Sequence, residues 1–100
     1  MKKKAAVSAE RAHVFYTGRV QGVGFRHTAE QKALELGLTG WVKNLRDSRV
    51  ELVCEGPKTG IEELLAQIKD GQMGKYVQKT VVTWEKATGE FDDFIVEFEL

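Results

Sequence analysis

Between Gly18 and Arg26 the chain reads Gly-Arg-Val-Gln-Gly-Val-Gly-Phe-Arg, a stretch in which three glycines precede a cation. Gly22 and Gly24 are free to take positive φ and have no Cβ to hold a ligand away, so consecutive N–H groups can converge on an anion. If a helix follows, its first turn adds unbonded N–H groups and a dipole effect of about 0.3–1 kcal/mol. Arg26 would then stand on that first turn, offering forked donors to two oxygens at about 1.5–3 kcal/mol per charge-assisted bond. The chemistry this pattern suits is the holding of a phosphate. A plain strand-to-helix turn, with Arg26 paired to a surface carboxylate, accounts for the same residues.

Spacing excludes the familiar nucleotide patterns. A Walker A loop needs Gly-Lys-Ser/Thr after its glycines, and a dinucleotide fingerprint needs a glycine where His27 stands. His27 itself falls about 100° around the helix from Arg26 and reads as an exposed helix histidine rather than a general base. His13, in a strand, has no recognisable partner. The other residue of unusual type for its place is Asn44, in Trp41-Val42-Lys43-Asn44-Leu45. Asparagine is depleted in strands and costly to bury unsatisfied, so it requires a partner. Backbone close to a hairpin end supplies one as readily as a ligand does.

The elements that must position these residues are legible in the hydrophobic pattern. Arg11 to Thr17 alternates with the period of a strand, Val14 and Tyr16 on one side and Phe15 and Thr17 on the other. Phe25, Ala29, Ala33 and Leu36 form one helical stripe ending at Gly37, with Leu34 off the stripe. Trp41 to Arg46 and Arg49 to Cys54 bracket Asp47-Ser48, which reads as the two-residue turn of a hairpin. Thr59 and Glu62 stand in capping-box positions before Ile61, Leu64, Leu65 and Ile68, the apolar face of a second helix that stops at Gly71. Tyr76 to Lys86 and the alternating Phe94, Val96, Phe98 and Leu100 supply two closing strands. The order is βαββαββ. It predicts an α+β, ferredoxin-like sandwich, βαββαβ plus a short extra C-terminal strand, with two helices on one face of an antiparallel sheet.

The totals set the outer bounds. One hundred residues with 42% hydrophobic and 30% charged side chains make one globular domain, expected over residues 11–100 after a flexible basic tail at 1–10 that carries Lys2, Lys3 and Lys4. Fifteen Lys plus Arg against fifteen Asp plus Glu leave no net field to favour nucleic acid or an anionic membrane. No apolar run reaches the roughly 18–20 residues of a membrane span, and Met1 to Glu10 lacks a signal peptide's apolar stretch, which predicts a cytoplasmic protein. The single Cys54 has no metal-ligand spacing around it and alternates with Val50 and Leu52, as a core thiol would.

Taken together, Gly18-Arg19-Val20-Gln21-Gly22-Val23-Gly24-Phe25-Arg26 and Leu36-Gly37-Leu38-Thr39-Gly40-Trp41-Val42-Lys43-Asn44 resemble the two long motifs of the acylphosphatases. The likeness extends to the βαββαββ order, to Val50–Gly56 and to the Phe-rich last strand, and so covers nearly the whole chain. It implies hydrolysis of an acyl phosphate to a carboxylate and inorganic phosphate, without metal or cofactor; a monomer acting on a small-molecule substrate is expected, with the oligomeric state left open by the sequence. It also implies that Arg26 binds the phosphate, that Asn44 positions the attacking water, and that Gln21, Gly22, Val23, Gly24 and Phe25 form the backbone cradle. The sequence departs from the family at Ser48, where a glycine is usual. Two alternatives follow from the same residues: a phosphate-binding domain without turnover, and a ferredoxin-like RNA-binding module in which Gly22-Val23-Gly24-Phe25 presents an aromatic ring.

Overall fold

The computed structural model describes residues 9–98 and has the expected order of elements. Strand β1 runs Ala9–Gly18, helix α1 Phe25–Glu35, β2 Thr39–Asn44, β3 Val50–Pro57, α2 Lys58–Asp70, β4 Val77–Lys86 and β5 Phe94–Val96, with a 3₁₀ turn at Gln72–Tyr76. β1 thus begins two residues before the expected Arg11; Lys2, Lys3, Lys4 and Leu100 lie outside the described residues. The five strands form one sheet in the order β4-β1-β3-β2-β5.

Alternation puts Ala12, Val14 and Tyr16 of β1, Val42 of β2 and Leu52 and Cys54 of β3 on one face, where all are buried. Against them pack Phe25, Ala29 and Ala33 of α1 and Ile61, Leu64 and Ile68 of α2, so both helices cover the same side. Leu34, off the α1 stripe, is 44% exposed. Burial pushes the Cys54 thiol up to about 12, so the side chain is a neutral core group at physiological pH.

Helix ends account for two local features, one of them not as expected. α1 closes in a Schellman arrangement, Gly37 taking φ 71° while its N–H donates to Leu34 O at 3.1 Å and that of Leu38 to Ala33 O at 2.9 Å. The Thr59–Glu62 capping box does not form. Helix α2 starts at Lys58 behind Pro57, whose φ of −60° and ψ of 140° bring the chain in directly, so Thr59 already lies inside the helix.

The sheet is mixed rather than wholly antiparallel, because β5 pairs with β2 in parallel. β4 lies at one edge and β5 at the other, so the connecting residues 87–93 must cross the ends of β1, β3 and β2. Glu55, 5% exposed, pins this crossing. Its carboxylate accepts Thr88 N–H (2.9 Å), Gly89 N–H (3.0 Å), the Thr88 hydroxyl (3.1 Å) and Arg11 Nε (2.7 Å). Desolvation alone would raise the Glu55 pKa, but these donors together outweigh it and hold the carboxyl below its ordinary value. A depressed carboxylate pKa contributes stability that is present above the unfolded value, near pH 4.3, and lost as pH falls through the folded one. Glu55→Gln is therefore expected to cost about 1.5–3 kcal/mol at neutral pH, where it strips the charge from a partly buried pair. Urea unfolding measures this, and the gap from the parent protein should narrow below about pH 4.

Candidate active site

β1 and β2 run in the same direction, each antiparallel to β3 between them, so Gly18 and Asn44 stand at the same end of the sheet. The glycine-rich stretch leaves that end of β1 and leads into α1. Its start is fixed by close backbone approach: Gly18 has φ 136°, and a Cβ there would lie 2.3 Å from Tyr76 O. The same carbonyl accepts the Arg19 N–H at 2.9 Å.

Further along, Gly22 (φ 78°) and Gly24 (φ 86°) are left-handed, and a Cβ on either would meet nothing within 4 Å. Both therefore present bare backbone to open space, as a close ligand approach requires. Gly24 is the N-cap of α1, which has no side-chain cap bond and no acidic residue in its first turn. The first internal bond of the helix runs from Thr28 N–H to Gly24 O at 3.0 Å. The positive end of the helix thus faces the loop without a carboxylate of its own.

Asn44 arrives from the hairpin. Its turn is a three-residue loop, not the expected two: Leu45 N–H bonds Arg49 O (2.8 Å) around Arg46, Asp47 and Ser48, and Ser48 N–H bonds Leu45 O (3.2 Å). This is a type I turn followed by a left-handed residue. Ser48 takes that place with φ 78°, at a cost of roughly 1–2 kcal/mol for a side chain with a Cβ. Asp47 compensates locally, accepting Arg49 N–H at 3.2 Å and pairing with the Arg49 guanidinium at 2.9 Å.

Loop and hairpin meet at a cleft of about 210 Å³ whose lining includes Gly22, Gly24, Phe25, Arg26, Asn44 and Phe98. His27 and Glu30 also line it, with Val20 and Val96. Among the described residues Arg26 has no carboxylate partner, and its guanidinium lies 5.4 Å from the centre of the Phe98 ring. The surface ion pair that sequence left open for Arg26 is absent from that set. Asn44 Oδ1 is buried and has no hydrogen-bond partner among the described residues, so local backbone does not satisfy it. A larger recess of about 550 Å³, beside Tyr16, Leu65, Lys69 and Lys79, contains neither Arg26 nor Asn44. Among the described residues no three His, Cys, Asp or Glu side chains are grouped to hold a metal ion.

A family model described as acylphosphatase matches residues 12–96. The chain belongs to the acylphosphatase family. It is 45% identical over 86 residues to an acylphosphatase of Roseiflexus sp. strain RS-1, covering 86% of this chain and 92% of that one. With an acylphosphatase of Methylococcus capsulatus it shares 49% over 87 residues, covering 87% and 95%. The crystal structure of acylphosphatase from Bacillus subtilis superposes with a TM-score of 0.82 at 33% identity, covering 88% of this chain and 98% of that one. The acylphosphatase match takes in both motifs and hence the loop, Arg26 and Asn44.

Of the loop residues expected in the site, Gly22, Gly24 and Phe25 line the cleft, whereas Gln21 and Val23 do not. Val23 packs against the core. Besides Glu30 of α1, two residues that sequence reasoning did not connect with the site, Val96 and Phe98, stand on its wall because β5 joins β2. Alternation marked them as strand residues, but no sequence signal indicates the edge that a three-residue strand will join.

Proposed function

We propose that this protein hydrolyses the carboxyl-phosphate bond of acyl phosphates, with the phosphate held by the Gln21–Phe25 backbone and Arg26 and the attacking water positioned by Asn44. The observation that carries this reading is the convergence on one cleft of an arginine and an asparagine that, among the described residues, lack respectively a carboxylate partner and a donor to the buried Oδ1. Membership of the acylphosphatase family supports the same reaction.

Water oxygen forms a new bond to phosphorus as the bridging P–O bond breaks. That bond's electron pair leaves with the carboxylate, and the second proton of the water passes to a phosphoryl oxygen, giving dihydrogen phosphate. A loose phosphoryl-transfer transition state asks the protein chiefly to position the nucleophile and stabilise charge on the equatorial oxygens. The cradle and the Arg26 fork suit the second task, and the Asn44 carboxamide, as a hydrogen-bonding partner for the water, suits the first. The acyl phosphate is already activated by its carboxylate leaving group, so no strong general base is required.

The RNA-binding alternative loses its aromatic platform: Phe25 is 2% exposed and packs on Tyr16 with ring centroids 4.8 Å apart. Binding without turnover would suit an Asn44 held away from the phosphate loop, and Asn44 lines the same cleft as Arg26. Initial rates of benzoyl phosphate hydrolysis in excess chelator test the proposal. Turnover that persists is the expected result; a protein that binds phosphate but releases no benzoate overturns it.

A further inference from the structure

Gln21 lies in the middle of the glycine-rich stretch, yet its side chain is turned away from the cleft and spent on the neighbouring hairpin. Nε2 donates to Leu45 O at 2.8 Å and to Arg49 O at 2.9 Å. Those two residues are the pair that closes the three-residue turn, and Leu45 directly follows Asn44. A primary amide has two N–H groups, and here both are used to tie the turn to the phosphate loop.

From this geometry we infer that Gln21 is a positioning residue for the reaction: its carboxamide sets the distance between the phosphate cradle and Asn44. The inference rests on the proposed role of Asn44. Loop and hairpin are separate segments that meet only at this end of the sheet. Ser48 keeps the turn in a left-handed conformation that a non-glycine residue disfavours. A cross-link between the cradle and the turn is therefore where register between the holding and attacking halves is maintained. Displacements of about 1 Å between reacting groups can cost about 10²-fold in rate, so a side chain that touches no reacting atom can still govern turnover.

Gln21→Met keeps the length of the side chain and removes both donors. The glycine backbone and Arg26 remain, so the affinity for inorganic phosphate, measured by calorimetry, should stay within about threefold while kcat falls by about 10-fold or more. The double variant Gln21→Met/Asn44→Ala separates positioning from general weakening of the fold. If Gln21 acts through Asn44, the double variant turns over no more slowly than Asn44→Ala alone. Multiplying losses, or a Gln21→Met enzyme with parental kcat, overturn the inference while leaving the proposed function standing. Full activity in Asn44→Ala instead removes the role of Asn44 on which it rests. Thermal midpoints are recorded for each variant. Should Gln21→Met be unfolded at the assay temperature, Gln21→Asn, with the amide one methylene shorter, is put through the same phosphate-affinity and double-variant comparison, and the same outcomes decide.

Discussion

Arg26→Ala is expected to lower kcat/KM for benzoyl phosphate by about 10²- to 10⁴-fold, the loss of two charge-assisted hydrogen bonds at about 1.5–3 kcal/mol each. The guanidinium has no carboxylate partner among the described residues, so its removal leaves no unpaired acid there and should disturb stability little. Because Arg26 would bind the phosphate before the reaction as well as during it, the loss should be shared between KM and kcat. Inhibition by inorganic phosphate should weaken in parallel with KM. Arg26→Lys restores the charge without the fork and should recover only part of the loss. Steady-state rates over a range of substrate, with phosphate as competitor, check all three statements, and an Arg26→Ala enzyme with parental kcat/KM would falsify the assignment.

The corresponding result for Asn44 has a different shape. Asn44→Ala should reduce kcat by about 10²- to 10³-fold, the usual loss of one preorganised polar group, with KM nearly unchanged. On the proposed mechanism the cradle and Arg26 still hold the phosphate, and what the variant loses is the orientation of the water. The truncation also removes a buried oxygen that lacks a partner, so the thermal midpoint should hold or rise. A KM that climbs with kcat unchanged would move Asn44 from water positioning to substrate binding. The contrast between the two variants is thus more informative than either alone: one should lose affinity and rate together, the other rate only.

Much of this candidate site is legible in the sequence. Gly22, Gly24 and Arg26 are readable because backbone freedom and forked charge are properties of single residue types at fixed spacing, and the structure shows both glycines at positive φ. Asn44 was readable as a polar residue in the wrong kind of segment. Helix α2 followed from Ile61, Leu64 and Ile68, since 3.6-residue periodicity reports which face is buried. Periodicity says nothing, however, about which neighbour a face or an edge meets. The parallel pairing of β5 with β2, and with it the place of Phe98 above Arg26, is decided by the long crossing at 87–93 and its clasp on Glu55. Turn length failed for a related reason: Asp47-Ser48 suits a two-residue turn by composition, but the Leu45–Arg49 pairing lets Ser48 serve as the left-handed third residue. The side chain of Gln21 gave no sequence signal at all, because its partners are main-chain carbonyls that any residue supplies.

The pinning of the glycine-rich loop also bears on the entropy of binding. The backbone at Gly18 and Arg19 is held against Tyr76, the Gln21 amide is held against the hairpin, and the far end is the first turn of α1. Five glycine-rich residues left free would each surrender about 1–2 kcal/mol of backbone entropy on closing around an anion. Here that ordering takes place when the chain folds, so the proposed phosphate cradle is shaped before any ligand arrives. Conformational freedom is thereby removed from the catalytic cycle and charged to the stability of the domain. The two quantities are linked: conditions that loosen the Tyr76 tie at the start of the loop should weaken phosphate affinity before they unfold the sheet.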